Sequence, residues 1–140
     1  FLILRLGTIF GKSPGMRFHT AVNKFCWQAA NKLPLTIWKN ALNKKRPYLD
    51  LKDLVNVLRF LIKKNKFDGS TINVVTYNYT VKDLLTYIKK FKKIKIKYVK
   101  SKILNQDSYI VKNNYLSNEK FKMTGNLLKT IKQTIEILKN

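Results

Sequence analysis

The sequence predicts an α/β fold. Short apolar or β-branched runs alternate along the chain with segments in which apolar residues recur every three to four positions. The runs have the length of strands, and the recurring segments have the length of helices. At 140 residues and without an internal repeat, the chain is long enough for one compact domain with a modest core.

The first third of the chain predicts a strand, a loop, a helix and two extended pieces. Residues 2–6 form an apolar run typical of a buried strand, and a loop with three glycines follows it. The segment 18–30 places its apolar residues on one helical face, and these are Phe18, Ala21, Val22, Phe25, Cys26 and Ala29. Residues 33–38 predict a short strand, and residues 47–51 a further extended piece.

The middle of the chain predicts a second helix, a turn and a strand. Asp50 is suited to be the N-cap of this helix, and Asp53 suits its positively polarised first turn. The predicted inward face of the helix consists of Leu51, Leu54, Val55, Leu58, Leu61 and Ile62. A turn at 67–70 then leads to a β-branched strand at 71–75.

The last part predicts two more helices around a strand. Thr80 and Asp83 have the spacing of a capping box, with an apolar stripe behind them at Val81, Leu84, Leu85, Ile88 and Phe91. Lysine alternates with apolar residues from 94 to 99, which predicts a half-exposed strand. The final helix is expected to begin near Asn126 and to turn inward Leu127, Leu128, Ile131, Ile135 and Leu138.

The net charge is +22, from 29 basic and 7 acidic residues, which raises nucleic-acid binding as a hypothesis. Most of these cations are lysines, and the chain is also rich in Asn and Ile. An AT-rich coding sequence favours the same three residue types, so composition alone explains much of the charge. We therefore do not expect nucleic acid as the partner, and we keep a basic nucleic-acid-binding module as an alternative.

The cysteine content and the N-terminal run bear on location. One cysteine and one histidine cannot form an internal disulfide or a structural zinc site, which needs about four ligands. The opening run FLILRL ends within a few residues, well short of the roughly 20 needed to span a bilayer. We expect a soluble cytoplasmic protein with no membrane segment, cut from a longer chain because it starts without Met inside an apolar run.

The glycines at 7, 11 and 15 do not form a known phosphate-binding loop. A dinucleotide fingerprint requires G-x-G-x-x-G, and a P-loop requires G-x-x-x-x-G-K-[ST], because their amides must converge on one phosphate. Neither spacing is present. The glycines fit better as a loop that allows close approach at the carboxyl end of a strand, where α/β sheets bind ligands.

No catalytic residue is predicted in the chain. Tyr48 and Lys52, like Tyr98 and Lys102, have the Tyr-x-x-x-Lys spacing of short-chain dehydrogenases, but chance explains such matches in a lysine-rich chain. Tyr48 also lies in an extended piece, so its side chain would not share a helical face with Lys52. His19 and Cys26 would lie near one helical face without an acidic partner, so a nucleophile–base pair is not expected.

Trp38 and Tyr48 flank a basic loop that contains Lys44, Lys45 and Arg46. Aromatic rings beside an arginine can stack a base and hold a phosphate. The same residues can equally form a hydrophobic rim beside a solvated loop. The residues alone leave both interpretations open.

Five stretches, in order, resemble the C-terminal half of the extended short-chain dehydrogenase/reductase family, the NAD-dependent epimerases and dehydratases of nucleotide sugars. They are ILRLGTIFG, SPGMRFHTAVNKFCWQA, LPLTIWKN, KRPYLDLKDLVNVL and TINVVTYNYTVKDLLTYI. The resemblance implies the C-terminal part of a Rossmann-type fold with its small α/β substrate-binding domain. Residues 1–12 would end the dinucleotide-binding sheet, and 13–140 would form the substrate-binding region, with returning Rossmann elements at about 51–92.

The resemblance also implies roles for individual residues. Leu6, Gly7 and Thr8 would lie beside the nicotinamide end of NAD or NADP. Binding of the nucleotide sugar would fall to Thr8, Arg17, Asn23, Ile37, Trp38, Arg46 and Tyr48. Among these, Asn23 would bind the diphosphate, Ile37 and Trp38 would line the base pocket, and Arg46 would hold phosphate.

Several positions depart from the family pattern. His19 and Asp50 stand where relatives carry Asp and His, and Val75 stands where Gly is common. Asp107 lies where many members supply an arginine to the nucleotide. A non-catalytic remnant of the family is therefore a further alternative.

The glycine-rich cofactor loop and the active-site Tyr-x-x-x-Lys of the family have no counterpart in residues 1–140. The resemblance therefore implies an N-terminal Rossmann half as a partner, with a homodimer as one option for the full-length protein. We do not expect the chain to turn over a nucleotide sugar alone.

Overall fold

The computed structural model describes residues 1–100 and 107–139, and the order of its elements is α/β as the sequence predicts. The strands are β1 Ile3–Leu6, β2 Thr8–Phe10, β3 Leu35–Trp38, β4 Arg46–Asp50, β5 Thr71–Val74, β6 Tyr77–Tyr79 and β7 Ile96–Val99. The helices are α1 Ala21–Ala30, α2 Leu51–Lys63, α3 Val81–Lys89, α4 Asn114–Asn118 and α5 Leu127–Ile137, with a 3₁₀ turn at Lys39–Ala41.

The strands pair mostly in parallel. β1 pairs with β5, β2 pairs with β4, and β3 pairs with β7, each in parallel register, whereas β6 joins the other edge of β4 antiparallel. Parallel pairs need crossover connections, and α1, α2 and α3 lie within those connections. A single residue separates β1 from β2. Across it, the pairing partner changes from β5, which pairs with β1, to β4, which pairs with β2.

Gly7 is the residue at this exchange point. Its N–H donates to the Val74 carbonyl at 2.9 Å, which completes the pairing of β1 with β5. A Cβ at this position would lie 3.2 Å from backbone atoms of Pro47 and Tyr48, closer than ordinary contact allows. The close approach expected of the glycine region therefore occurs at Gly7. The three-residue strand β2, which follows it, was missed because it is too short to show a period.

The predicted helix starts agree with the observed caps in three cases. Asp50 Oδ1 accepts from Lys52 N at 2.9 Å at the start of α2, and Asn126 Oδ1 accepts from Lys129 N at 3.0 Å at the start of α5. Thr80 caps α3 in a capping box. The start of α1 was predicted wrongly, because Phe18 and His19 lie in the turn before Ala21 and not on the helix.

The inward face of α2 was also predicted wrongly in part. Val55, Leu58 and Ile62 are 39%, 40% and 63% exposed, whereas Asp53 and Val57 are fully buried. The buried face of the helix therefore includes Asp53, Val57 and Leu61, and differs in part from the face that apolar spacing indicates. β6 and α4 had no predicted counterpart, and both are short.

Two apolar clusters hold these elements. The first packs α1, α3 and α5 together with β3 and the ring of Phe10, and the second packs α2 and α4 against β1 and β5. Tyr48 and Leu49 are consecutive on β4 and lie in different clusters, so β4 runs between the two clusters.

The division of the chain into 1–12, 13–140 and 51–92 stays a prediction. Among the described residues, no helix is long and apolar enough to cross a bilayer.

Cys26 lies in the first cluster with no exposed surface, and burial raises the pKa of its thiol to about 12. At pH 8 an ordinary thiol is roughly one quarter thiolate, whereas a thiol of pKa 12 is thiolate in about one molecule in 10⁴. We expect the native chain to react with a thiol-specific disulfide reagent about 10³-fold more slowly than the chain in denaturant. Absorbance of the released thiolate measures this, and rapid reaction of one native equivalent would contradict it.

Candidate functional site

The largest concentration of predicted site residues lines one cavity, which we call cavity A. It lies between the start of α1, β3 and β4, and its volume is about 340 Å³, within the usual range for small-molecule sites. Its walls are formed by Thr8, His19, Thr20, Ala21, Lys24, Phe25, Thr36, Ile37, Trp38, Ala41, Lys44, Arg46, Tyr48 and Val81. Five of the predicted residues, Thr8, Ile37, Trp38, Arg46 and Tyr48, are therefore together.

Cavity A combines an apolar side with a cationic side. Ile37 is buried and Trp38 is exposed, and both residues at the end of β3 line the cavity, so this side of the wall is apolar. Lys24, Lys44 and Arg46 supply positive charge, and no Asp or Glu is among the described residues of the wall. Such a cavity suits a ligand with an aromatic or apolar part and an anionic part.

The N-terminus of α1 opens into cavity A without a side-chain cap. Thr20 is the N-cap, but its hydroxyl donates to the Arg17 carbonyl at 3.2 Å and caps no N–H of the helix. The first turn also carries no acidic residue. The free N–H groups and the helix dipole therefore make this end favourable for an anion. By contrast, α2, α3 and α5 each carry a side-chain cap.

Arg46 is held at the rim of cavity A by the segment that follows the undescribed residues 101–106. Its guanidinium lies 5.0 Å from the centre of the Tyr109 ring and donates from Nη1 to the Asp107 carbonyl. Lys45 fixes the same segment, since its N–H donates to Ser108 Oγ at 2.9 Å. The stacking leaves other guanidinium N–H groups without a partner among the described residues, so they are available to a ligand.

Tyr48 is buried in the wall of cavity A and packs edge-on against Phe10, with 6.5 Å between ring centres. Burial raises the pKa of its phenol to about 12, and the charge of Arg46 opposes this only in part. The phenol is therefore neutral at physiological pH. It can donate a hydrogen bond to a ligand, but it is not activated for proton exchange.

The rejected Tyr-x-x-x-Lys pairs do not form a site in the described structure. Tyr48 lies on β4 and Lys52 on α2, so the two are not on one helical face. Tyr98 lies on β7, and its partner Lys102 falls outside the described residues.

A second cavity, cavity B, of about 640 Å³, adjoins cavity A along the loop between β2 and α1. The two cavities share Thr8, His19 and Thr20. The rest of the wall of cavity B consists of Gly7, Ile9, Phe10, Gly11, Ser13, Gly15, Met16, Arg17, Asn23 and Leu51.

Asn23 lies in cavity B and fastens its loop. Its Oδ1 accepts from Gly11 N at 3.3 Å, and its Nδ2 donates to the Arg17 carbonyl at 3.2 Å. The amide thus bridges the two ends of the glycine-rich segment. The diphosphate contact of Asn23 stays a prediction.

Leu6 lies in neither cavity. It lines a third depression, cavity C, of about 430 Å³, together with Gly7 and Arg5. Gly7 borders both cavity B and cavity C, and Thr8 borders both cavity A and cavity B, so Leu6, Gly7 and Thr8 lie along the walls of three neighbouring cavities. Their contact with a nicotinamide stays a prediction.

Sequence reasoning missed Lys24 and the uncapped start of α1 as parts of the site, and it named Lys44 only as part of the basic loop between Trp38 and Tyr48. The sequence did contain a signal for the uncapped start of α1. A capping box needs Glu or Gln three residues after the N-cap, and Thr20 is followed there by Asn23. One departure has a structural explanation, since the Asp50 carboxylate caps α2. Asp107 contacts Arg46 through its backbone carbonyl, which any residue would offer, so this contact does not explain the acidic side chain.

Comparison with known proteins gives a consistent result. The model of the NAD dependent epimerase/dehydratase family matches residues 1–75. No curated protein matches the sequence significantly.

Solved epimerases share the fold at low identity. UDP-glucose 4-epimerase of Thermus thermophilus, solved with NAD, is 16% identical over 98% of this chain and 46% of its own, with a TM-score of 0.81. The Thermotoga maritima UDP-glucose 4-epimerase, solved with UDP-glucose, is 19% identical over 96% of this chain and 44% of its own, with a TM-score of 0.78. UDP-glucuronic acid 4-epimerase of Bacillus cereus is 20% identical over 99% of this chain and 45% of its own, with a TM-score of 0.78.

The chain thus spans less than half the length of these epimerases. The comparisons confirm the predicted fold class, since an α/β chain with parallel sheets matches the Rossmann-type epimerase fold. The family match covers more than half of the sequence. The chain therefore belongs to the NAD-dependent epimerase/dehydratase family.

Proposed function

We propose that this chain is the sugar-nucleotide-binding, C-terminal portion of an NAD-dependent nucleotide-sugar epimerase or dehydratase. The observation that carries the proposal is cavity A, where the uncapped start of α1 and three cations face an apolar surface. A nucleoside diphosphate has the matching parts, an aromatic base and two adjacent phosphates. The related epimerases solved with UDP-sugars agree with this ligand class.

The base, the diphosphate and the sugar of such a ligand fit cavity A in one order. The base lies against Ile37 and Trp38, where an apolar surface is available for stacking. The diphosphate lies at the first turn of α1, where Lys24 and Arg46 add charge-assisted hydrogen bonds. Tyr48 donates a hydrogen bond from its phenolic O–H to an oxygen of the ligand. The sugar then points toward Thr8, at the boundary with cavity B.

The proposal places the cofactor, NAD or NADP, beside Leu6, Gly7 and Thr8 at the carboxyl end of β1. When bound, the nicotinamide supplies reversible hydride transfer. Gly7 suits a close approach because it has no side chain, and Thr8 is placed to contact the sugar. No residue of the chain is assigned proton transfer, since the phenol of Tyr48 stays neutral.

An N-terminal Rossmann half is the proposed partner at the free edge of β1. Within the described residues β1 pairs only with β5, and Phe1, Ile3 and Leu6 on and beside this strand are exposed. Strands of parallel sheets are normally covered on both faces, so a further strand and its helices would bury these side chains. A cytoplasmic location, which suits the single buried cysteine, and a homodimer of the full-length protein complete the proposal.

Arg46→Ala is expected to weaken binding of UDP-glucose at least about tenfold, because the variant removes charge-assisted hydrogen bonds to phosphate. Isothermal titration of the purified chain with UDP-glucose measures the effect. Arg59→Ala is the matched control, since it removes the same charge from α2 outside cavity A and should leave the dissociation constant within about twofold.

Two results would contradict this proposal. One is no measurable binding of UDP or UDP-glucose to the folded chain. The other is equal weakening by Arg46→Ala and Arg59→Ala, which would indicate only general attraction of anions. In that case steeply salt-dependent binding to an oligonucleotide would favour the nucleic-acid alternative.

A further inference from the structure

The segment 107–113 belongs to no helix or strand, yet side-chain amides fix it along its length. Val111 N donates to Asn78 Oδ1 at 2.9 Å, and Asn78 Nδ2 donates to the Val111 carbonyl at 3.0 Å. This pair of bonds from β6 replaces the two hydrogen bonds that a neighbouring strand would make. Asn73 on β5 adds a bond from its Nδ2 to the Lys112 carbonyl at 3.3 Å.

Both ends of this segment are fixed as well. Asn113 makes a second two-bond pair, because its Oδ1 accepts from Val75 N at 2.8 Å and its Nδ2 donates to the Val75 carbonyl at 2.6 Å. At the other end, Lys45 N donates to Ser108 Oγ at 2.9 Å, and Tyr109 N donates to the Lys45 carbonyl at 3.3 Å. None of these bonds involves the ring of Tyr109, so removal of the ring should leave the segment in place.

The ring of Tyr109 lies against the guanidinium of Arg46. The Arg46 Cζ is 5.0 Å from the ring centre, and Arg46 Nη1 donates to the carbonyls of Asp107 and, at 3.4 Å, of Lys45. Among the described residues the other guanidinium nitrogens have no partner, so their N–H groups can bind a phosphate. The Tyr109 ring is 52% exposed and belongs to neither apolar cluster, so the core does not require it.

We propose that Tyr109 is a positioning residue for Arg46 and orients its guanidinium for the diphosphate before the ligand arrives. This inference rests on the proposed function, because it takes Arg46 as a phosphate-binding residue. An arginine that is free in solution loses rotamer freedom when it binds a ligand, and this loss weakens binding. Contact with a fixed ring already restricts the side chain in the unliganded protein, so binding has to restrict it less. Tyr109 does not line cavity A, and therefore acts through Arg46.

The test is isothermal titration of the whole chain and its variants with UDP. Tyr109→Ala should weaken UDP binding about fivefold, the usual effect of one side chain that must be ordered on binding. Tyr109→Phe keeps the ring and should bind within about twofold of the unsubstituted chain. In the Arg46→Ala background, Tyr109→Ala should cause no further loss, because the ring then has no guanidinium to position.

Tyr115→Ala is the matched control for Tyr109→Ala. It removes a ring that lies 4.8 Å from Lys66 Nζ, which is a similar cation–ring contact outside cavity A. Its affinity for UDP should stay within about twofold of the unsubstituted chain.

Several results would overturn this inference. Unchanged affinity of Tyr109→Ala would show that Arg46 does not need the ring, and equal weakening by Tyr109→Phe would assign the effect to the hydroxyl. Additive losses in the double variant with Arg46→Ala would show that Tyr109 acts without Arg46, as would an equal loss in Tyr115→Ala. Failure of UDP to bind the unsubstituted chain would instead overturn the proposed function on which this inference rests.

Discussion

Asp53→Ala is expected to lower the free energy of unfolding by about 3 kcal/mol, because each buried donor that loses its acceptor costs about 1–3 kcal/mol. Asp53 is completely buried on α2, one turn beyond the N-cap. Its Oδ1 accepts from Thr124 N at 2.7 Å and from Gly125 N at 2.9 Å. Its Oδ2 accepts from Thr76 Oγ1 at 2.7 Å. Alanine would leave the two backbone N–H groups and the O–H of Thr76 without an acceptor, although the Thr76 oxygen would still accept from the Asp50 N–H.

Urea unfolding of the purified chain, followed by circular dichroism, measures this loss. Asp68→Ala is the matched control, because Asp68 contacts Lys66 and Ser70 on the surface and is half exposed. We expect the control to change the free energy by no more than about 0.5 kcal/mol. A similar small change for Asp53→Ala would show that the network contributes little to stability.

The network matters for the site because it fixes β4, the strand that carries Arg46 and Tyr48. The Asp50 N–H at the end of β4 donates to Thr76 Oγ1 at 2.9 Å, and the same hydroxyl donates to Asp53. Asp50 Oδ2 accepts from Thr130 Oγ1 on α5 at 2.7 Å. One wall of cavity A is therefore tied to the C-terminal helix through buried polar contacts.

Local patterns in the sequence predict much of this fold. Thr80 and Asp83 show the capping-box spacing, and α3 begins there because both bonds are made locally. The N-caps Asp50 and Asn126 are predicted correctly for the same reason, since an N-cap bonds to a backbone N–H within the next three residues. The order of strands and helices follows from periodicity, which is also a local property.

Long-range contacts decide what the sequence did not predict. Asp53 looks like a solvated first-turn acid, but Thr76, Thr124 and Gly125 donate hydrogen bonds to it from 23 to 72 residues away and make its burial favourable. Asp53 is fully buried on α2, whereas Val55 and Leu58 on the same helix are exposed. Within the site, resemblance identified residues of cavity A. The free N–H groups at the start of α1 become visible only in the folded arrangement, in which the N-cap hydroxyl donates to the Arg17 carbonyl.

Gly125→Ala is expected to destabilise the chain by about 3 kcal/mol, the upper part of the usual cost of overpacking. A Cβ at Gly125 would lie 2.6 Å from Asp53 Oδ2, 2.7 Å from Asp50 Cβ and 3.0 Å from Thr76 Cγ2. These atoms cannot move away easily, because the same side chains are fixed by the buried hydrogen bonds. The substitution would therefore separate α5 from the start of α2.

Gly15→Ala is the matched control for this prediction, because a Cβ at Gly15 meets no atom within 4 Å. We expect it to leave the urea midpoint nearly unchanged, within about 0.5 kcal/mol. In the double variant with alanine at 53 and at 125, the closest clashing oxygen is absent. The double variant should therefore lose less free energy of unfolding than the sum of the losses of the two single variants. Strict additivity would show that Gly125 is required for a reason other than its contact with Asp53.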